Sequence, residues 1–343
     1  MKAVALFNPL PITDEKSLQD VELPTPAVGP RDLLVRVAAV SVNPVDTKIR
    51  ASAKPEAGQP KVLGWDAVGT VEAVGSAAQF YRTGDRVYYA GSLTRPGTNA
   101  ELHAVDERIV GLAPKTLSDT EAAALPLTAI TAWELLFDRL QVPQRAAGTA
   151  HGSGKSLLVI GGAGGVGSIL LQLARQCTDL KVIATASRPE TRQWCLDLGA
   201  HHVVDHSQPL APQLQALGID AVDMVASLTQ TDQHFAAAVE LLRPQGQFAL
   251  IDDPKQLDAM LLKRKCISLH WEFMFARSMF NTPDIGEQRA LLNAVAARID
   301  EGVLKTTVHA DLGPINAANL RRAHALIESG KAQGKVVLRG FNG

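Results

Sequence analysis

Short apolar runs rich in Val and Ala open the chain: KAVALF (2–7), DLLVRVAAV (32–40), AVGTVEAVG (67–75), DRVYYA (85–90) and AELHAVD (100–106). Turns such as Val28-Gly29-Pro30 and Thr83-Gly84-Asp85 separate them, which predicts strands. With no long helix between them, they predict a curled, barrel-like β domain. From Ser118 the pattern becomes helical. In SDTEAAALPLTAITAWELLFDRL (118–140), Ser118 and Glu121 are spaced as a capping box, and Pro126 divides the run into two helices. The polar, Gly-rich stretch 141–155 predicts a surface connection.

Between Ser156 and Phe273, strands and helices alternate. SLLVIG, KVIATA, HHVVD, AVDMVAS, QFALID and CISLHWEF are six candidate strands, with helices at 168–177 and 234–243 among the intervening segments. Such alternation needs crossover connections, hence a parallel, doubly wound sheet. Beyond it, a helix over 284–301 and the strand GKVVLRG (334–340) are predicted to return to the first domain.

At 343 residues the chain exceeds one ordinary core, so two domains are expected. The division falls at 1–125 with 280–343 for the β-rich domain and 126–279 for the doubly wound one. A formal net charge of −1 gives no reason to expect nucleic acid or an anionic membrane surface. Cys177, Cys195 and Cys266 stand far apart, which fits reduced thiols rather than a disulfide framework. Pro9 and Pro11 break the only apolar run near the start, and no run approaches a bilayer span. A cytoplasmic, small-molecule enzyme is the expectation.

The sharpest motif is LLVIGGAGGVGSILLQLA (157–174). Gly162, Gly164 and Gly167 form a GxGxxG that follows an apolar strand and opens a helix, the context a dinucleotide site requires. Glycines permit the tight turn and close approach of a pyrophosphate, and the helix N-terminus attracts the anion. The second strand, KVIATA, ends without an acid and is followed by Ser187-Arg188-Pro189-Glu190. Arginine favours the 2′-phosphate of NADPH. The same four residues also spell a capping box with Ser187 as N-cap.

KVLGWDAVG (61–69) buries an acid beside a bulky indole. A carboxylate in an apolar strand needs a partner, and Lys335 in the returning strand is the candidate.

Taken with SVNPVDTKIR (41–50), LGWDAVGTVEAVG (63–75), GDRVYYAG (84–91), EAAALPLTAITAWELL (121–136), GGAGGVG (161–167) and GKVVL (334–338), the chain resembles the medium-chain dehydrogenase/reductase superfamily over nearly its whole length. Within it, the sequence is similar to zinc-type alcohol dehydrogenase-like proteins allied to quinone oxidoreductases. The resemblance implies an α/β fold, with a GroES-like catalytic domain beside a six-stranded Rossmann domain.

It departs from zinc-dependent members, which carry cysteine where Asn43 stands and a histidine-glutamate pair at Trp65-Asp66. An asparagine amide and an indole do not replace zinc ligands, so no catalytic metal is expected. The implied chemistry is then hydride transfer from NADPH to quinones or conjugated enones. By the same resemblance, Asn43 sits over the nicotinamide side of the cleft and Trp65 walls it; Asp46 is either a proton relay or a helix cap. Thr131 touches the nicotinamide end, and Gly161, Gly162, Gly164, Gly165, Val166 and Gly167 hold the pyrophosphate. Ser187 and Arg188 read the 2′-phosphate, His206 either reaches the adenosine side or is an exposed loop histidine, and Leu228 and Thr229 lie at the sheet's carboxyl edge. Tyr88, Tyr89, Met274 and Phe275 either line an acceptor pocket or belong to ordinary core or dimer packing. A homodimer through the sixth strand is expected. A zinc alcohol dehydrogenase with unorthodox ligands and a non-catalytic NADPH-binding protein stay open.

Overall fold

The computed structural model describes residues 1–56, 58–145 and 154–341, and element counts refer to these. The chain forms two compact units, Met1–Ile130 with Phe275–Gly343, and Thr131–Met274.

The first unit is built on a twisted antiparallel sheet. Its long strand Asp32–Val42 pairs with Asp66–Val74 on one side and Lys335–Arg339 on the other, and also takes Leu102–Asp106 along its first half. Arg86–Tyr89 and Val110–Leu112 extend the sheet beyond Asp66–Val74, and Val308–Pro314 closes the far side, parallel to Lys335–Arg339. The predicted return of the C-terminal strand is therefore met: Val336 sits opposite Val42. Four strands among the described residues escaped the pattern, the three-residue Val110–Leu112 among them. Gln19–Glu22, Lys61–Val62 and Val308–Pro314 are short or polar and carry no sustained apolar run.

At the helical transition, Ser118 caps Asp119–Ala123 with Glu121 folded back, as predicted. Pro126 begins a second helix, Pro126–Trp133, which continues into a π-helical stretch, Glu134–Arg139. The expected helix at 284–301 is Glu287–Asp300. Most of the predicted connection 141–155 lies outside the described residues.

The second unit carries six parallel strands: in chain order Ser156–Ile160, Lys181–Thr185, His202–Val204, Val222–Ser227, Leu242–Leu250 and Ser268–Trp271. Their spatial order is 3-2-1-4-5-6, with every pairing parallel. That order places the dinucleotide crevice at the carboxyl ends of strands one and four. The core beneath is formed by Leu158, Ile160, Ile183, Val225, Phe235 and Phe248, all buried.

His324 is fully buried in the helix Ala317–Glu328, and neither ring nitrogen has a hydrogen-bond partner among the described residues. Burial, reinforced by the charge of Arg50, pushes this imidazole down to about 3. It is therefore neutral when folded, whereas the unfolded chain protonates it near ~6.5. Its linkage favours the fold above that value and is lost as pH falls, by about 2 kcal/mol between pH 7 and pH 5. Urea unfolding at both pH values should show a smaller acid-induced loss for His324→Leu. An equal loss in both proteins would contradict this origin.

Candidate active site

In the first unit, four buried polar side chains converge where the strand Asp66–Val74 begins. Asn43, Asp46, Asp66 and Lys335 are each at most 2% exposed. Asp66 Oδ2 accepts from Asn43 Nδ2 at 2.8 Å and from Lys335 Nζ at 3.0 Å. Its Oδ1 accepts the Leu127 N–H at 2.7 Å. That amide lies in the first turn of Pro126–Trp133, so Asp66 caps this helix from 61 residues away, where a negative charge is favoured. Lys335 also donates to Asn43 Oδ1 and to Val42 O. The expected Asp66–Lys335 partnership is thus present as a buried ion pair.

Asn43 ends its strand before Pro44, which opens the helix Pro44–Ser52. Asp46 stands in the first turn and accepts the Asn43 N–H at 2.8 Å through Oδ2, while its Oδ1 has no partner among the described residues. Burial pushes the Asp46 carboxyl up to about 7; the Asn43 N–H and Lys335 oppose the rise, and Asp66 adds to it. At neutral pH this group is poised between its neutral and charged forms.

Trp65 is buried, its indole N–H donating to Ser92 O at 3.2 Å. Phe275 meets it edge-on, ring centroids 6.1 Å apart. The expectation of an open aromatic wall needs correction here, because both residues are enclosed. Met274 is buried as well. Tyr88 and Tyr89 also depart from the expected acceptor lining. Both are fully buried, with Tyr88 Oη bonded to Leu292 O at 2.6 Å and Tyr89 Oη to His103 Nδ1 at 3.1 Å. Their strand has neighbours on both sides and is covered on both faces, so no ring surface remains for a substrate.

His103 was not anticipated. It stacks on Tyr89 and its Nε2 meets Pro96 O at 3.0 Å, pinning the loop 92–100. Burial pushes it down to about 4. A neutral ring therefore accepts from Tyr89 and donates to Pro96. A polar residue at an inward strand position was the available signal.

In the second unit, the glycine loop has the shape of a phosphate cradle. Gly161 has φ +85°, the left-handed region that glycine adopts without strain. Its N–H donates to Thr185 Oγ1 at 3.1 Å, and Thr229 lies against its Cα. A side chain at Gly167 would collide with the carbonyl oxygens of Gly161 and Gly162. Gly164 differs: a Cβ there would meet nothing nearer than Gly161 O at 3.6 Å. The helix Gly165–Cys177 starts directly after it, and Gly164, Gly165 and Val166 are half-buried. These residues fit a dinucleotide pyrophosphate.

At the end of the second strand, the capping box expected at Ser187 does not form. Pro189 takes the first helical position of Pro189–Asp197, so Arg188 becomes the N-cap and Ser187 is exposed one residue earlier. Arg188 Nε lies 3.1 Å from the Glu190 carboxylate. His206 Nδ1 is 3.0 Å from Thr185 Oγ1. Leu228 and Thr229 follow the fourth strand, with Leu228 N–H bonded to Ile160 O. Thr131 is buried on the helix that Asp66 caps.

A zinc ion does not fit the donor set of the first unit. Asn43, Trp65 and Asp66 offer no thiolate or imidazole, and their polar atoms are committed to Lys335, Leu127, Ser92 and each other. Among the described residues, no three His, Cys, Asp or Glu side chains gather as a metal site.

Residues 29–115 match the alcohol dehydrogenase GroES-like domain, and residues 198–338 match the zinc-binding dehydrogenase family. A zinc-type alcohol dehydrogenase-like protein of Staphylococcus aureus (strain MSSA476) is 39% identical over 341 residues, covering 98% of this chain and 99% of that protein. A 2-methylene-furan-3-one reductase of Solanum lycopersicum is 31% identical, covering 91% of this chain and 73% of that protein. A crystal structure from Rhizobium etli CFN 42, provisionally named a zinc-dependent alcohol dehydrogenase protein, is 59% identical. It has a TM-score of 0.95 and covers 100% of this chain and 98% of its own.

Removing the Lys335 charge strands Asp66 without its cation. Lys335→Met is expected to cost about 3–5 kcal/mol in urea unfolding, and Asp66→Asn combined with Lys335→Met clearly less. Additive losses would refute a coupled pair. Gly164→Ala should fold with a loss of about 1 kcal/mol or less, yet weaken binding of the nicotinamide dinucleotide, titrated as NADPH and as NADH, at least ~tenfold in calorimetry. Unchanged affinity would place the pyrophosphate elsewhere.

Proposed function

Because the chain belongs to the zinc-type alcohol dehydrogenase-like proteins of the medium-chain dehydrogenase/reductase superfamily, we propose that this oxidoreductase reduces quinones or α,β-unsaturated carbonyls with NADPH and without zinc. The observation that carries the proposal is the closed cluster of Asn43, Asp66 and Lys335 beside Trp65, where the family's zinc ligands would be. Lacking a Lewis acid, the site suits an acceptor already polarised by conjugation. The name of the tomato relative denotes a reductase of just such a compound, a methylene conjugated with a ring ketone.

The bound cofactor supplies a hydride to the electron-poor carbon of the acceptor. Gly161, Gly162, Gly164, Gly165, Val166 and Gly167 hold its pyrophosphate, and Leu228 and Thr229 border the loop. Ser187 and Arg188 bind the 2′-phosphate, the absence of an acid at this strand end favouring NADPH over NADH. Thr131 orients the nicotinamide end. Asn43 forms the rigid floor of the reacting region, and Asp46 holds an exchangeable proton behind it.

Small molecules are the partners this chemistry needs. No helix among the described residues is long and apolar enough to cross a membrane. Three free cysteines favour a reducing, cytoplasmic setting. The sixth strand, Ser268–Trp271, is a sheet edge with Trp271 exposed, and Phe273 just beyond it is exposed too; both support a homodimer.

Steady-state oxidation of NADPH across quinones, enals, enones, simple aldehydes and alcohols tests the proposal. Turnover confined to quinones or conjugated carbonyls, and slower with NADH, is expected. Turnover of simple aldehydes or alcohols alone would overturn it.

A further inference from the structure

Two histidines meet at the carboxyl edge of the parallel sheet. Thr185 ends the second strand opposite Val204, which ends the third, and Ala186 N–H bonds Val204 O at 3.0 Å. The segments that follow, with Ser187 and Arg188 on one and Asp205 and His206 on the other, therefore leave the sheet side by side. His206 is fixed from below by Thr185 Oγ1, the hydroxyl that also receives the Gly161 N–H. His234, on the helix Thr231–Leu241, sets its ring edge-on to His206, centroids 5.9 Å apart at 64°.

A hydroxyl can donate to a neutral imidazole or accept from a charged one, so the Thr185 contact survives protonation of His206. The charged groups around it are few. Asp205 is adjacent, with Oδ1 held by the Ser207 N–H and hydroxyl. Arg188, Glu190 and Arg192 lie on the helix after the second strand, and Arg188 pairs with Glu190. On its own helix His234 is preceded by Asp232, whose Oδ2 accepts the Lys255 N–H. Burial lowers both imidazoles; the charge of His206 lowers His234 further, and only Asp205 pulls His206 the other way. Both rings are therefore held toward the neutral form in the free protein.

We infer that His206 is a specificity-determining residue that charges on demand: it takes up one proton from solvent when a phosphate monoester binds beside Ser187 and Arg188, giving that anion a second cation. His234 limits the pair to a single charge, because two imidazolium rings this close repel. The inference rests on the NADPH reading and extends it to a proton-linked affinity that NADH lacks.

The sign of the proton exchange separates the histidine from the phosphate. A phosphate monoester retains some proton near neutral pH, and binding it as a dianion beside arginine releases that proton. Imidazole charging takes a proton up. Titration calorimetry of the full chain at pH 7, with NADPH and NADH in buffers of different ionisation enthalpy, counts the protons.

Net uptake with NADPH and none with NADH is expected. His206→Gln should abolish the uptake and weaken NADPH binding about tenfold, leaving NADH affinity and thermal stability unchanged. His234→Gln should retain uptake and shift its midpoint to higher pH. Tight NADPH binding with no uptake, or with uptake that persists in His206→Gln, would overturn the inference while leaving the cofactor assignment intact. NADPH binding no tighter than NADH from pH 6 to pH 8 would overturn both.

Discussion

One desolvated carboxylate organises the first unit. Asp66 lies fully inside the protein and receives three donors, from Asn43, Leu127 and Lys335, separated from it by 23, 61 and 269 residues. A buried charge is tolerable only when paired and hydrogen-bonded, so these partners cannot drift independently. The strand Asp66–Val74, the turn into Pro44–Ser52, the start of Pro126–Trp133 and the C-terminal strand are pinned to one point. Asn43 contributes both ends of its amide to this arrangement. It is consequently a rigid group, as the role proposed for it requires.

The second unit depends on a different constraint, the close approach of backbone at the glycine loop. Gly167 packs against the carbonyls of Gly161 and Gly162, while Gly164 faces open space. The same three-residue spacing therefore does two jobs, closing the turn and leaving room for an anion. Thr185 extends that logic: its hydroxyl joins the loop through Gly161 and the third-strand side through His206. The phosphate cradle and the residues expected to read the ribose are thereby held by one side chain.

Much of this was legible in the sequence, for identifiable reasons. Strand–helix alternation requires crossover connections and hence a parallel sheet, and the six strands are parallel, in order 3-2-1-4-5-6. Lys335 was found from the demand that a buried acid be paired. Tyr88 and Tyr89 were left open between pocket lining and core packing, because adjacent strand residues point to opposite faces and sequence does not reveal that both faces are covered. The Ser187 capping box failed because proline prefers the first helical position, which moves the cap to Arg188. Contacts made across long separations left no local trace. Glu272 is one case: burial, then the nearby charge of Glu134, pushes it up to about 9, although 138 positions of sequence count for nothing in that contact. His103, pinned between Tyr89 and Pro96, is another.

The central claim is that a buried, metal-free polar cluster replaces a Lewis acid and restricts the enzyme to activated acceptors. Turnover of an enone by protein dialysed exhaustively against a strong chelator, with zinc content measured on the same sample, tests it most directly. Undiminished turnover at negligible zinc is predicted. Activity lost on chelation and restored by stoichiometric zinc would contradict the account.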